Sequence, residues 1–259
     1  MRQALVAFLL GAAAFAVPSG AEVPRCAGDV EIPSAPIVRV EHNDVLVLAD
    51  GRALSLIGIR LPNAAQDRAP QGFENQAYDA LATLAVHHTL VAHAVWPKED
   101  RYDRVRSQVF TQDGTWLQLD LLQRGLARVE LSPDRGECYR ELYDAEIAAR
   151  NAKLGIWAEP AYQVRTPENV GADIGTFQIV MGTVLDTSMK DGRAYLNFGA
   201  DWKTDFTVTI SPEDMENFRR MGVDPLNYKG KLVRVRGIVQ SENGPEIEVG
   251  NPKQIELLQ

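Results

Sequence analysis

The chain has 259 residues, 45% of them hydrophobic, with a formal net charge of -8. That size and apolar content allow one or two globular domains with proper cores. Both halves are acidic, which argues against strong nonspecific nucleic-acid binding, since that needs phosphates neutralised by Lys and Arg; a local basic cleft stays compatible.

Residues 1–21, MRQALVAFLLGAAAFAVPSGA, place Arg2 before an apolar run and end in small residues. The pattern predicts a secretory signal peptide, too short for a membrane anchor. A secreted or periplasmic protein is therefore expected, and no later run is long enough to predict a membrane span. Two cysteines follow, Cys26 and Cys138. In an oxidising compartment they are expected to pair as a disulfide; two separate buried thiols are the alternative.

Residues 22–36 carry Pro24, Pro33 and Pro36 and read as an extended leader. Residues 40–63, VEHNDVLVLADGRALSLIGIRLPN, read as a β-hairpin turning at Asp50-Gly51, its second arm continuing to Ile59 until Pro62 ends pairing. A polar loop over 64–72 leads to a helix over 73–86, where Phe73, Ala77, Leu81 and Leu84 recur at helical spacing. Strands are predicted at 89–96 and 105–110, a helix at 115–126 with Leu117, Leu121 and Leu122 on one side, a short strand at 127–131 and a third helix at 138–152. Residues 161–175 lack hydrophobic periodicity and read as a linker.

Beyond it, strands are predicted at 177–185, 194–198, 206–210, 231–239 and 246–249, with a helix over 212–221. Five strands with a helix between the third and fourth is the order of an OB-type barrel. Arg234 and Arg236 alternate with Val233 and Val235 as solvent-facing strand positions.

Several ordered motifs between about residues 36 and 160 resemble the staphylococcal-nuclease (thermonuclease) family. They are the hairpin frame LVLADGR…LIGI…P, Asp100-Arg101-Tyr102-Asp103-Arg104, the segment from Leu121 to Val129, and Ala145, Glu146, Ala149, Arg150, Gly155, Ile156 and Trp157. The resemblance implies an OB-type barrel packed with helices. The fold class expected is thus mainly β with α: two small OB-type barrel domains at 22–160 and 176–259, the first packed with three helices.

Hydrolysing a phosphodiester requires a cation to offset charge on the phosphorus oxygens, a base for water and cationic side chains on the phosphate. The family supplies these with two aspartates and a backbone carbonyl on Ca²⁺, a glutamate and two arginines. Carried over by position, Asp44 matches one metal-binding aspartate and Arg104 one arginine. The other positions hold His42, Ser55, Arg60 and Asn63. An amide such as Asn63 cannot take a proton near neutral pH. A guanidinium at Arg60 disfavours a divalent cation and is a candidate partner for Asp44. Arg104 reads equally as a salt-bridge residue and as a phosphate contact, because Arg101, Arg104 and Arg106 cluster. His87, His88 and His93 lack metal-ligand spacing, so no metal site is predicted.

In the second half Tyr195, Phe198, Trp202 and Phe206 share one stretch with Lys190, Arg193 and Lys203 nearby. Exposed aromatics on OB strands stack bases, which makes Tyr195 and Trp202 ligand-binding candidates together with Arg101 and Arg106; core packing of Leu196 and Phe198 is the favoured use of the stretch. The favoured function is noncatalytic binding of a nucleic acid, another envelope ligand or a protein partner, with no cofactor. The alternatives are a nuclease cleaving DNA or RNA, in which case Ca²⁺ would be the cofactor, and a purely structural interaction module.

Overall fold

The structure, a computed structural model, describes residues 23–41, 45–132, 138–201 and 203–258. The predicted signal peptide, His42, Asp44 and Trp202 lie outside the described residues.

The first half is built from β1 (Asp29–Glu41), β2 (Val45–Leu48), β3 (Ala53–Leu56), β4 (Gly58–Arg60), α1 (Ala64–Asp67), α2 (Gln71–Ala85), β5 (Thr89–Ala94), β6 (Val105–Thr111), α3 (Leu117–Gln123), β7 (Arg128–Glu130) and α4 (Tyr139–Asn151). A closed barrel runs β1-β2-β3-β6-β5, and β4 pairs with β7 beside it. Leu46, Leu54, Leu90 and Val109 bury into one core with Leu81 of α2, Leu117, Leu121 and Leu122 of α3 and Leu142 of α4. The helical spacing in the sequence reports these buried faces. The helices number four among the described residues, because the expected polar loop contains α1.

Two strands differ from the expectation. The proline-containing leader is not a leader: most of it enters β1, a 13-residue strand paired with both β2 and β5. Its pairing with β5 shifts register between Val30 and Ile32 and again between Ile32 and Ala35, and such irregularity lets a strand carry Pro33 without losing its ladder. The second hairpin arm is broken in two. β3 stays in the barrel, while β4 leaves it to pair with β7. Gly58 makes the change with a φ of 85°, and a Cβ there would meet Leu142 of α4. Glycine alone combines that conformation with that close approach.

Cys26 and Cys138 form a disulfide, joining the segment before β1 to the N-terminus of α4. Among the described residues no helix is long and apolar enough to cross a membrane.

The second half comprises β8 (Phe177–Thr183), β9 (Asp186–Lys190), β10 (Arg193–Asn197), β11 (Thr207–Ile210), α5 (Met215–Arg220), β12 (Leu232–Ser241), β13 (Pro245–Glu248) and β14 (Ile255–Leu257). They form a seven-stranded sheet ordered β14-β12-β13-β11-β10-β9, with β8 also on β12. This corrects the expected second barrel: the sheet is not closed. At one edge β9, polar and largely exposed, pairs with β10 alone, and charged edge strands resist further pairing. β9 and β14 escape the sequence reading because neither shows apolar alternation over a useful length. Leu196 and Phe198 are core residues as expected, and Phe206 joins them.

The halves are joined by buried charge. Arg236 is wholly inaccessible, not solvent-facing as its alternation with valines suggests. Its face of β12 is covered by α4 and β7: the guanidinium donates to both carboxylate oxygens of Glu146 (3.0 and 2.9 Å), to the Val129 carbonyl (3.0 Å) and to Glu256 (2.6 Å). Arg234, also expected to face solvent, is mostly covered and paired with Glu256 at 3.0 Å. The 161–175 stretch is bonded into the structure as well. Tyr162 and Val170 are buried, Arg165 pairs with Asp173 at 2.6 Å, and the Arg165 N–H donates to the Ile179 carbonyl.

Candidate functional site

A cleft of about 740 Å³ opens where the barrel strand β3 hands over to β4. Ser55 and Arg106 stand on its floor as cross-strand partners of β3 and β6. Arg60, Asn63 and Gln66 come from β4 and the start of α1, Glu74 and Tyr78 from α2, Asp100 from the loop before β6 and Glu130 from β7. The cleft therefore lies at the site that the hairpin resemblance singles out.

Asn63 caps α1. Its side-chain oxygen accepts the Gln66 N–H at 2.9 Å, and its own N–H donates to Asp67 at 3.0 Å. The side chain thus satisfies one of the unpaired N–H groups at the start of this four-residue helix. Glu74 serves the same helix by accepting the Ala64 N–H at 2.7 Å.

Arg60 is held among three side chains. It donates to Gln66 at 2.7 Å and lies 3.5 Å from Glu130 and 3.9 Å from Asp67. Its guanidinium also sits over the Phe177 ring at 5.5 Å, a contact with the second half. Asp44, its expected partner, lies outside the described residues, and the carboxylates that hold Arg60 are Asp67 and Glu130. Asp67 is buried and ties this site to the junction between the halves. It accepts from Arg128 at 2.7 Å and from the Tyr162 hydroxyl at 3.2 Å. Arg128, buried in turn, donates to the Phe177 carbonyl at 2.7 Å and lies over the Tyr162 and Phe177 rings. Burial pulls the Arg128 guanidinium below its ordinary pKa, and the Asp67 charge opposes that pull.

Arg104 and Arg101 do not line the cleft. Arg104 closes a salt bridge with Asp100 at 2.7 Å, and both guanidinium groups lie over Tyr102 at 4.9 and 4.8 Å. Burial raises the Asp100 pKa, but the N–H groups of Tyr102 and Arg104 and the Arg104 guanidinium outweigh it and hold the carboxyl below its usual range. Arg106, rather than Arg104, presents cationic charge to the cleft.

The cleft's described carboxylates are Glu41, Glu74, Asp100 and Glu130. Each has a partner already: Arg39, the Ala64 N–H, Arg104 and Arg60. Among the described residues no three of them converge closely enough to hold an ion, and the grouping that does converge is the disulfide with Glu141. Disulfide sulfurs are not thiolates and offer no metal site. Asp44, the resembled metal-binding position, lies outside the described residues, and of the described cleft carboxylates Glu130 is held by Arg60. His93 is structural: its Nδ1 lies 3.0 Å from the Gly28 carbonyl.

Sequence reasoning missed Asp67, Arg128 and Glu130. Asp67 and Glu130 lie outside the quoted motifs and Arg128 is at a variable position of one, and their roles depend on packing between segments far apart in the chain. Tyr195 falls elsewhere, on the outer face of β10 in the second half.

Residues 53–159 match the family described as Staphylococcal nuclease homologue. The match starts inside the hairpin, at the first residue of β3. Over 121 residues the chain is 31% identical to "Probable endonuclease lcl3" of Pyrenophora tritici-repentis (strain Pt-1C-BFP), an alignment covering 43% of each chain. This chain thus spans under half the length of that curated relative.

Proposed function

We propose that this protein is a nuclease-type scaffold that binds a ligand or partner in an oxidising extracytoplasmic space and does not cleave nucleic acid. One observation carries the reading. The two positions at which the resemblance requires a metal-binding aspartate and a glutamate are Arg60 and Asn63, and both are engaged in holding the cleft wall together. Asn63 caps α1. Arg60 joins β4 to Asp67, Glu130 and the Phe177 ring. Loss of the base removes water activation, and loss of the ion removes charge stabilisation at phosphorus.

The remaining surface suits binding better than hydrolysis. Four carboxylates against Arg60 and Arg106 make the described lining acidic overall, which disfavours a polyanion and favours a protein partner or a neutral ligand. In this reading the chain comprises a signal peptide, a barrel domain to about residue 160 and a second domain from about residue 176, docked through the ion cluster. The Cys26–Cys138 bond supports the compartment.

Cleavage remains the competing reading because the family match and the relative's name favour it. The test is incubation of the purified chain, without residues 1–21, with single-stranded DNA and RNA, in Ca²⁺ and in chelator. No Ca²⁺-dependent cleavage is expected. Cleavage that Arg106→Ala or Arg104→Ala abolishes would overturn the proposal, and a salt-sensitive mobility shift without cleavage would make nucleic acid the ligand.

A further inference from the structure

A second concavity, of about 510 Å³, lies on the second half, over strands β9, β10, β11 and β13. Strand parity builds it. Ala194, Leu196, Val208 and Ile247 point into the core and are wholly buried. The alternate positions face outward in rows: Tyr195 stands between Ser188 and Thr209, and Asn197 stands between Asp186 and Thr207, with Glu246 beside Thr207. Every residue of these rows is polar or amphipathic, as the period of two requires for the face away from the core.

An ordinary solvent face would leave such residues open. Here Thr207 and Glu246 are each 6% exposed and Thr209 is fully buried. Glu246 receives one hydrogen bond, from the Thr209 hydroxyl to Oε1 at 2.8 Å. Among the described residues its Oε2 has no hydrogen-bond partner, although the side chain lines the concavity. Burial, chiefly, holds the Glu246 pKa above the usual carboxylate range; Glu242 and Glu248 add to this, while the Thr209 hydroxyl and Arg193 oppose it. That second oxygen is open to the concavity and available to a donor group of a ligand.

The lining sets the chemistry of that donor. Lys190 and Arg193 face Asp186, Glu242 and Glu246, so the concavity carries no excess of positive charge. Arg193 is further engaged by Glu248 at 3.4 Å. A phosphate backbone finds no cationic track here. What the face offers is one aromatic ring, an amide, hydroxyls and a carboxyl, a set matching a ligand that has a flat apolar ring face and many hydroxyl groups. We propose that this face binds a neutral oligosaccharide, with Tyr195 as the platform for one sugar ring and Asn197, Thr207 and Glu246 hydrogen-bonding its hydroxyls.

The test is a glycan array of neutral hexose and N-acetylhexosamine oligomers, probed with the full chain and with Tyr195→Ala and Asn197→Ala. A retained neutral oligosaccharide is expected, bound about fivefold or more weakly by each variant, the effect of one lost contact. Both side chains are partly exposed, so the variants are expected to keep the wild-type melting temperature. As a readout on the unaltered chain, adding the retained sugar is expected to shift the backbone amide signals of β9, β10 and β13. The proposal is overturned if no neutral glycan is retained, if retention is indifferent to both substitutions, or if the amide shifts fall on the other cleft. Retention of oligothymidylate instead, weakened by the same substitutions, would assign the face to single-stranded nucleic acid and equally overturn it. The nuclease assay reports on the other cleft, so the two readings fail independently.

Discussion

Asn63 occupies the place where the nuclease resemblance expects a glutamate, and its work is local: it caps a four-residue helix. Asn63→Ala is therefore expected to lower stability by about 1 kcal/mol, the usual cost of a lost cap, measured by urea denaturation. A far larger effect belongs to Glu146, which has no access to solvent and faces the buried Arg236. Burial alone would depress the Arg236 pKa, yet the Glu146 and Glu256 carboxylates raise it, so the guanidinium stays charged. Glu146→Ala removes the carboxylate that bonds both nitrogens of the buried guanidinium, leaving Glu256, and is expected to cost about 3–5 kcal/mol in the same measurement. Glu246 gives a pH signature of the opposite sign to most acids. Its pKa is raised in the folded state, so the folded protein binds the proton more tightly than the unfolded chain. Stability from this group is present below the unfolded pKa and is lost as pH rises through the folded value. Glu246→Gln is expected to flatten that loss, seen as a denaturation midpoint that gains on wild type as pH rises above the ordinary glutamate range. Cap, ion pair and carboxyl were not equally legible in the sequence. The replaced positions 55, 60 and 63 could be read off the motif frame; the uses of Asn63 and Arg60 could not, because Gln66, Asp67 and Glu130 reach them only in the folded chain.

Among the elements, helices were the more legible. Leu117, Leu121 and Leu122 repeat at the spacing of one buried helix face, and that face is wholly buried. Strands were read well where they form hairpins and poorly where prolines interrupt them, as in β1, or where one apolar run serves two sheets, as in β3 and β4. Local pattern reports which side of a strand is buried, but not which partner lies beside it. Glycine in the 154–157 segment is a further constraint at this scale. Gly155 has a φ of 52°, and a Cβ there would collide with the Gly125 carbonyl just past α3. The neighbouring Ile156 N–H donates to that same carbonyl at 2.9 Å. Gly155→Ala is expected to destabilise the protein by more than about 1 kcal/mol, through both backbone strain and separation of the α3 and α4 ends, read from the thermal midpoint.

At the scale of the molecule, the cysteine pairing followed from two residues and a compartment, whereas the docking of the halves had no sequence signal. A buried arginine and a solvent-facing one look alike in a strand that alternates with valines. The disulfide spans 112 residues, and a loop of that order constrains the unfolded chain by roughly 4–5 kcal/mol in the chain-entropy account. Reduction, or Cys26→Ser with Cys138→Ser, is expected to lower the denaturation free energy by about 2–5 kcal/mol. With Arg128 and Arg236 each bonding across the junction, the two halves are expected to melt in a single calorimetric transition.

That shared junction also imposes a timetable on biosynthesis. Arg236 follows Glu146 by 90 residues, and Glu256 follows Arg236 by 20. While the ribosome has made only the first half, the carboxylate on α4 has Arg150 at 3.6 Å but not Arg236, the partner that bonds both its oxygens. The helix therefore cannot seat fully until the distant arginine has been made. A nascent chain arrested between residues 160 and 230 should consequently be cut near α4 by added protease at sites that the finished protein shields.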